Sequence, residues 1–218
     1  MAWETILFDL DGTLTDPAEG ITKAVEAALN HYGIAVEDRS TLHKFIGPPL
    51  DESFPEFYGF NDQQVQEATR VFREYFSRQG WAENVPYPGI DRLLGELKAA
   101  GKKLIVATSK PEEFAVRIMD HFDLARYMDV IAGAPMDNQE GAKKAAVIRE
   151  ALRRGAVEDL STAVMVGDRR HDVAGAHQVG LPCIGVLYGY GDRAEHEAAG
   201  AEVIAEDLEE LRGILLGE

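Results

Sequence analysis

The chain has 218 residues, 45% hydrophobic and 28% charged, enough to bury a real core as one large domain or two modest ones. Lys and Arg number 22 against 38 Asp and Glu, and a net charge of −16 argues against a nucleic-acid polymer or an anionic membrane as partner; a phosphate site in such a field needs a local metal ion or lysine. The single cysteine, Cys183, excludes an intrachain disulfide, the first residues carry no signal-peptide pattern, and no stretch is long enough to span a bilayer, so a soluble, cytoplasmic protein is expected.

The first predicted element is a short buried strand, Thr5-Ile6-Leu7-Phe8, followed at once by Asp9-Leu10-Asp11-Gly12-Thr13. Residues i and i+2 of an extended chain point the same way, so Asp9 and Asp11 share a face at the strand's carboxyl end. Helical signals follow. Asp16-Pro17-Ala18-Glu19 has the form of a helix start, Ile21, Val25, Ala28 and Leu29 recur at helical spacing, and Gly33 stops the run. Residues 40–58 read as two short helices broken at Gly47-Pro48-Pro49, and residues 63–79 as a longer helix. Val85-Pro86-Tyr87-Pro88-Gly89 is the clearest punctuation in the chain. Beyond it strands at 103–107, 130–132, 162–166, 183–186 and 202–204 alternate with helices at 90–101, 111–122, 142–154, 173–179, 193–199 and from 208. This alternation predicts an α/β fold, a Rossmann-like parallel sheet covered on both faces. The all-helical block interrupts it after the first strand, giving a core of residues 1–14 and 86–218 and an inserted helical domain at 15–85.

In an open parallel sheet ligands gather at the carboxyl ends of the strands. There the sequence places Asp9 and Asp11, then Thr108-Ser109-Lys110, then Gly167-Asp168-Arg169-Arg170-His171-Asp172, with Lys143-Lys144 opening the helix after the 130–132 strand. Carboxylates fanned out at a strand end suit a hard cation such as Mg2+, and they also suit a division of labour between a nucleophile and a proton carrier. A polar turn is the alternative for an isolated Asp-x-Asp. Thr108 is favoured as a phosphate ligand, with Ser109 mainly capping the next helix through Ser109-Lys110-Pro111-Glu112. One of Lys143 and Lys144 is expected to neutralise a phosphate and to keep the Asp9 carboxylate ionised, the other to be solvated, and spacing alone does not choose between them; Lys110 is a third candidate. Asp168 is expected to be a direct metal ligand and Asp172 to support the ligands or cap the helix at Val173; Arg169 and Arg170 have nearby acids to pair with. The six histidines show no zinc spacing, no phosphate-binding Gly-x-x-x-x-Gly-Lys-Ser/Thr or dinucleotide Gly-x-Gly-x-x-Gly is present, and Gly189-Tyr190-Gly191 reads as a turn.

Taken together, Asp9-x-Asp11-Gly12-Thr13, Thr108-Ser109-Lys110, the lysine before Ala145-Ala146-Val147-Ile148 and Gly167-Asp168-Arg169-x-x-Asp172 resemble, in this order, the haloacid dehalogenase superfamily in its phosphoglycolate-phosphatase-like branch. Phe45-Ile46-Gly47-Pro48-Pro49-Leu50, Pro86-Tyr87-Pro88-Gly89 and Gly189-Tyr190-Gly191 are smaller likenesses. The resemblance implies a phosphatase for a small phosphorylated metabolite, with Asp9 as nucleophile forming an aspartyl-phosphate and Asp11 as acid and then base. It implies Lys144 as the active-site lysine, Thr108 and Ser109 on the phosphate, and Mg2+ held by Asp9, the Asp11 main-chain carbonyl and Asp168. It also implies that the helical insert is a mobile cap closing over substrate; Lys44, Phe45 and Ile46 beside the Gly47-Pro48-Pro49 break are its candidate substrate contacts. The second Asp argues against a true dehalogenase. Phosphoglycolate, nucleoside monophosphates and pyrophosphate are the candidate substrates. A sugar phosphomutase similar to β-phosphoglucomutase and a non-catalytic regulatory protein are the rival readings, and a monomer or homodimer is expected.

Overall fold

The computed structural model describes residues 3–136 and 139–218. Two compact units emerge, one of residues 1–16 with 86–218 and the other of residues 17–85.

The larger unit is built on six parallel strands: β1 (Thr5–Phe8), β2 (Lys103–Pro111), β3 (Val130–Ala134), β4 (Ala163–Gly167), β5 (Cys183–Val186) and β6 (Val203–Ala205). They lie in the order β3-β2-β1-β4-β5-β6, the doubly wound arrangement that places a topological switch at β1. β1 is therefore central. Thr5 to Phe8 pair in register with Lys103 to Val106 on one side and with Ala163 to Val166 on the other. All four of its side chains are buried, as a strand covered on both faces requires.

Side-chain alternation divides the core. Leu7, Ile105, Met165 and Cys183 face one way and pack with Val147, Ile148, Ala151 and Val173. Those helical residues come from α6 (Lys144–Arg154) and α7 (Arg170–His177), so both helices open on the side of the sheet where Asp9, two residues past Leu7, emerges. α4 (Ile90–Ala99) runs from the Pro86-Tyr87-Pro88-Gly89 punctuation to β2, and α5 (Glu112–His121) links β2 to β3. α8 (Arg193–Ala199) and α9 (Leu208–Leu216) complete the unit. Among the described residues no helix is long and apolar enough to cross a membrane.

The smaller unit contains α1 (Ala18–His31), a 3-10 turn at Arg39–Phe45, α2 (Leu50–Tyr58) and α3 (Asp62–Tyr75), which ends in a π-helical turn, Phe76–Gly80. α3 starts with a capping box in which Asn61 and Gln64 satisfy each other's backbone amides. An aromatic cluster fills the interior: Phe54 stacks on Phe60 with centroids 5.5 Å apart and meets Phe45 edge-on at 5.1 Å. Gly20 is held against the chain's own return; a Cβ there would lie 2.1 Å from the Gly80 carbonyl oxygen.

Two expected helix starts differ. Asp16 does not cap α1; Pro17 occupies that position, and Asp16 instead accepts a hydrogen bond from the Tyr190 hydroxyl. Ser109 does not cap α5: β2 stays extended to Pro111, which precedes the helix without a side-chain cap. Proline disfavours a helical residue before it, which keeps Lys110 in the strand.

Candidate active site

Asp9 leaves β1 with its amide bonded to the Val166 carbonyl at 2.9 Å, so it is fixed at the boundary between β1 and β4. Lys144 opens α6 on the same side. Its ammonium, 8% exposed as a residue, lies 2.7 Å from Asp9 Oδ1 and 2.6 Å from Asp172 Oδ1, and donates to the Ala107 carbonyl at 3.1 Å. Lys143 is exposed, which separates the adjacent lysines: one is buried between two carboxylates and its neighbour faces solvent. Burial alone would depress the Lys144 ammonium, but Asp172 and Asp9 outweigh it and hold the group above its usual value.

Asp168 follows β4 and is fully buried. Its Oδ2 accepts from the Tyr190 amide at 2.8 Å, while Oδ1 has no partner among the described residues. Three glycines enclose it. A Cβ on Gly12, itself at φ +84°, would come within 2.1 Å of Asp168 Oδ2, one on Gly189 within 2.4 Å of its Cβ, and one on Gly191 within 2.1 Å of its carbonyl oxygen. Asp172 sits in the first turn of α7 rather than before it, because the helix begins at Arg170; its Oδ2 reaches back to the Arg169 amide at 3.0 Å. Arg169 pairs with Glu195 at 2.9 Å.

Among the described residues, one carboxylate oxygen from each of Asp9, Asp168 and Asp172 lies within 4.8 Å of the others, all buried. Burial, with repulsion from Asp172 and Asp9, drives the Asp168 carboxyl well above its usual range, and burial also raises Asp172 against the pull of Lys144. A buried all-oxygen cluster with an unpartnered carboxylate oxygen fits a hard divalent cation. Asp172 thus stands among the carboxylates themselves, whereas Asp11 is not one of the three. Asp11 Oδ2 lies 2.5 Å from the buried Lys110 ammonium, and its Oδ1 has no partner among the described residues. Burial raises the Asp11 carboxyl, with Lys110 opposing.

Thr108 is buried at the bend of β2, where its Oγ1 accepts from the Lys110 amide at 3.2 Å; Ser109 beside it is half-buried. In the smaller unit Phe45 (2% exposed) and Ile46 (0%) are interior packing residues with almost no surface for a ligand. Of the three residues expected to meet substrate there, only Lys44 reaches solvent, its ammonium 4.4 Å from the Phe57 ring centroid. Sequence reasoning missed the Lys110–Asp11 pair and the Gly189-Tyr190-Gly191 collar around Asp168; the available signal was a small-aromatic-small triplet just past a buried strand.

The family model for haloacid dehalogenase-like hydrolases matches residues 6–186. The chain belongs to that family. It is 42% identical to a protein of Pseudomonas aeruginosa named 5'-nucleotidase, over 99% of this chain and 96% of the relative. It is 40% identical to the tyrosine-protein kinase PtkA of Mycobacterium tuberculosis, over 97% of this chain and 72% of the relative. The crystal structure of a predicted phosphatase from Clostridium acetobutylicum superposes on all of both chains with a TM-score of 0.95 at 45% identity. As a member of this hydrolase family with phosphatase-named relatives, the chain is a phosphatase.

Proposed function

We propose that the protein is a Mg2+-dependent phosphomonoester hydrolase that releases phosphate from nucleoside 5'-monophosphates through an aspartyl-phosphate on Asp9. The observation that carries the chemistry is the burial of Asp9 against Lys144, beside Asp168 and Asp172, at the carboxyl edge of the sheet. Asp9 attacks phosphorus as the bond to the leaving oxygen breaks, and Asp11 gives that oxygen a proton. Water then attacks the phosphoryl group, Asp11 takes up its proton, and the bond to Asp9 breaks to free inorganic phosphate and restore both carboxyl groups. Lys144 aims the Asp9 carboxylate, and Asp172 anchors Lys144. Thr108, Ser109 and Lys144 are the proposed phosphate contacts. Asp9, Asp168 and the Asp11 carbonyl are the proposed ligands for Mg2+, which supplies the positive charge that offsets the phosphoryl oxygens when bound.

The choice of substrate rests on the P. aeruginosa relative, whose name and near-complete overlap favour nucleotides over the phosphoglycolate implied by the sequence motifs. The test is phosphate release from nucleoside monophosphates, phosphoglycolate, sugar phosphates and pyrophosphate, with Mg2+ and with EDTA. Mg2+-dependent release, fastest from a nucleoside 5'-monophosphate, is expected. Preference for phosphoglycolate overturns the substrate, and activity surviving in Asp9→Asn overturns the mechanism.

A further inference from the structure

The proposed mechanism leaves one buried charge of the site without a role. Lys110 is 9% exposed, and its ammonium is directed at Asp11. Burying an ammonium costs stability unless a partner compensates it. The fold devotes a specific distortion to putting it there. β2 and β3 pair regularly at Ala107 with Ala132, and pairing resumes at Pro111 with Ala134, so four steps of β2 oppose two of β3. Extra residues of this kind re-aim side chains. Thr108 Oγ1 holds the Lys110 amide within the bulge. Gly133 leaves room beneath it; a Cβ there would lie 2.4 Å from Glu112 Cα and 2.8 Å from the Lys110 carbonyl oxygen.

The two oxygens of Asp11 are treated differently. Oδ2 is taken by Lys110, and Oδ1 is buried with no partner among the described residues. We propose that Lys110 is a positioning residue that ties Asp11 Oδ2 and so presents Oδ1 as the oxygen that passes a proton to the leaving group and later takes one from water. The inference rests on the acid–base reading of Asp11. Positioning is the quantity at stake, because a carboxylate misplaced by about 1 Å loses on the order of 10²-fold in rate.

The test is kcat/KM for a series of phosphomonoesters from p-nitrophenyl phosphate to alkyl phosphates and a nucleoside 5'-monophosphate. In a two-step mechanism kcat/KM reports only the steps through departure of the leaving group. Lys110→Met is expected to lose about 10²-fold with alkyl leaving groups, which need the proton, and only a few-fold with p-nitrophenolate, which does not. Lys110→Arg, which keeps a charged donor, is expected to recover part of the loss. Gly133→Ala disturbs the bulge while keeping the lysine side chain and is expected to show the same dependence on leaving group, so the proposal stays testable where Lys110→Met does not fold. Equal losses across the series, as a binding or merely structural role would give, overturn the proposal. Asp11→Asn separates the two levels: a leaving-group dependence there without one in the Lys110 and Gly133 variants refutes this inference alone, and equal loss in Asp11→Asn refutes the acid reading with it.

Discussion

Replacing Lys144 by Met removes the cation that lies between Asp9 and Asp172, and the cost is expected to depend on pH. Without it, three buried carboxylates have oxygens within 4.8 Å of one another. At that separation and an effective dielectric constant of about 20, each pair of charges repels by about 3.5 kcal/mol. The protein relieves this by taking up a proton, which sets a ceiling on the loss. Keeping one Asp protonated in the folded state, against an unfolded value near 3.9, costs about 1.36 kcal/mol per pH unit: roughly 5.6 kcal/mol at pH 8 and about 2.2 kcal/mol at pH 5.5. The sign follows from the folded carboxyl being raised: its penalty is absent below the unfolded value and grows as pH rises towards the folded one. The measured range for breaking a buried pair, about 3–5 kcal/mol, lies under the pH 8 ceiling. At about 3 °C per kcal/mol for a chain of this size, Tm in EDTA should fall by roughly 10–15 °C at pH 8 and by no more than about 7 °C at pH 5.5. Thermal melts of wild type and Lys144→Met at both pH values, with Asp172→Asn added to recover part of the loss at pH 8, check this. The same decrement at both pH values refutes the electrostatic account.

Gly12→Ala forces a Cβ to 2.1 Å from Asp168 Oδ2 at a backbone φ of +84°; calorimetric Mg2+ affinity should drop about 10–100-fold, and unchanged affinity would show that Asp168 is not a ligand. Mg2+ at about 100 times its dissociation constant should stabilise the protein by about 2.7 kcal/mol at pH 8. That gain should shrink at pH 5.5, since burial and the neighbouring carboxylates raise Asp168 and let protons compete for it, and a gain growing towards low pH would contradict the assignment. Phe54→Ala empties the centre of the aromatic cluster and should cost the helical unit about 3–5 kcal/mol, read as faster amide exchange across residues 17–85.

The parallel α/β sheet was legible because a buried strand, a carboxylate pair and alternating elements are local patterns. Asp9 could be placed because strand parity carries it to the face of Leu7, whereas Lys144 was set apart from Lys143 only by the family resemblance, since the burial that separates the two lysines depends on packing of the helix they open. What escaped depends on partners distant in sequence. Lys110 turns inward only because β2 bulges against β3, and nothing within Thr108-Ser109-Lys110 announces that; Pro111 did argue against Ser109 as a helix cap. Gly189-Tyr190-Gly191 says turn by composition, but that the turn wraps Asp168 is set by pairing between β4 and β5. Asp16 had the form of a cap and was claimed instead by Tyr190, far along the chain.

The central place of β1 bears on how the molecule is made. It is the first strand of this sheet to be synthesised, yet Thr5 finds its neighbours at Lys103 and Ala163. Loops of that length close slowly, so β1 waits, an apolar strand with both hydrogen-bonding edges open, while the helical residues 17–85 assemble on contacts of their own. A chain cut short before Ala163 keeps one of those edges unsatisfied, the kind of surface from which strands recruit one another. Full-length synthesis is therefore what closes the sheet around Asp9, and truncation products of this protein should be found in aggregates rather than as inactive soluble fragments.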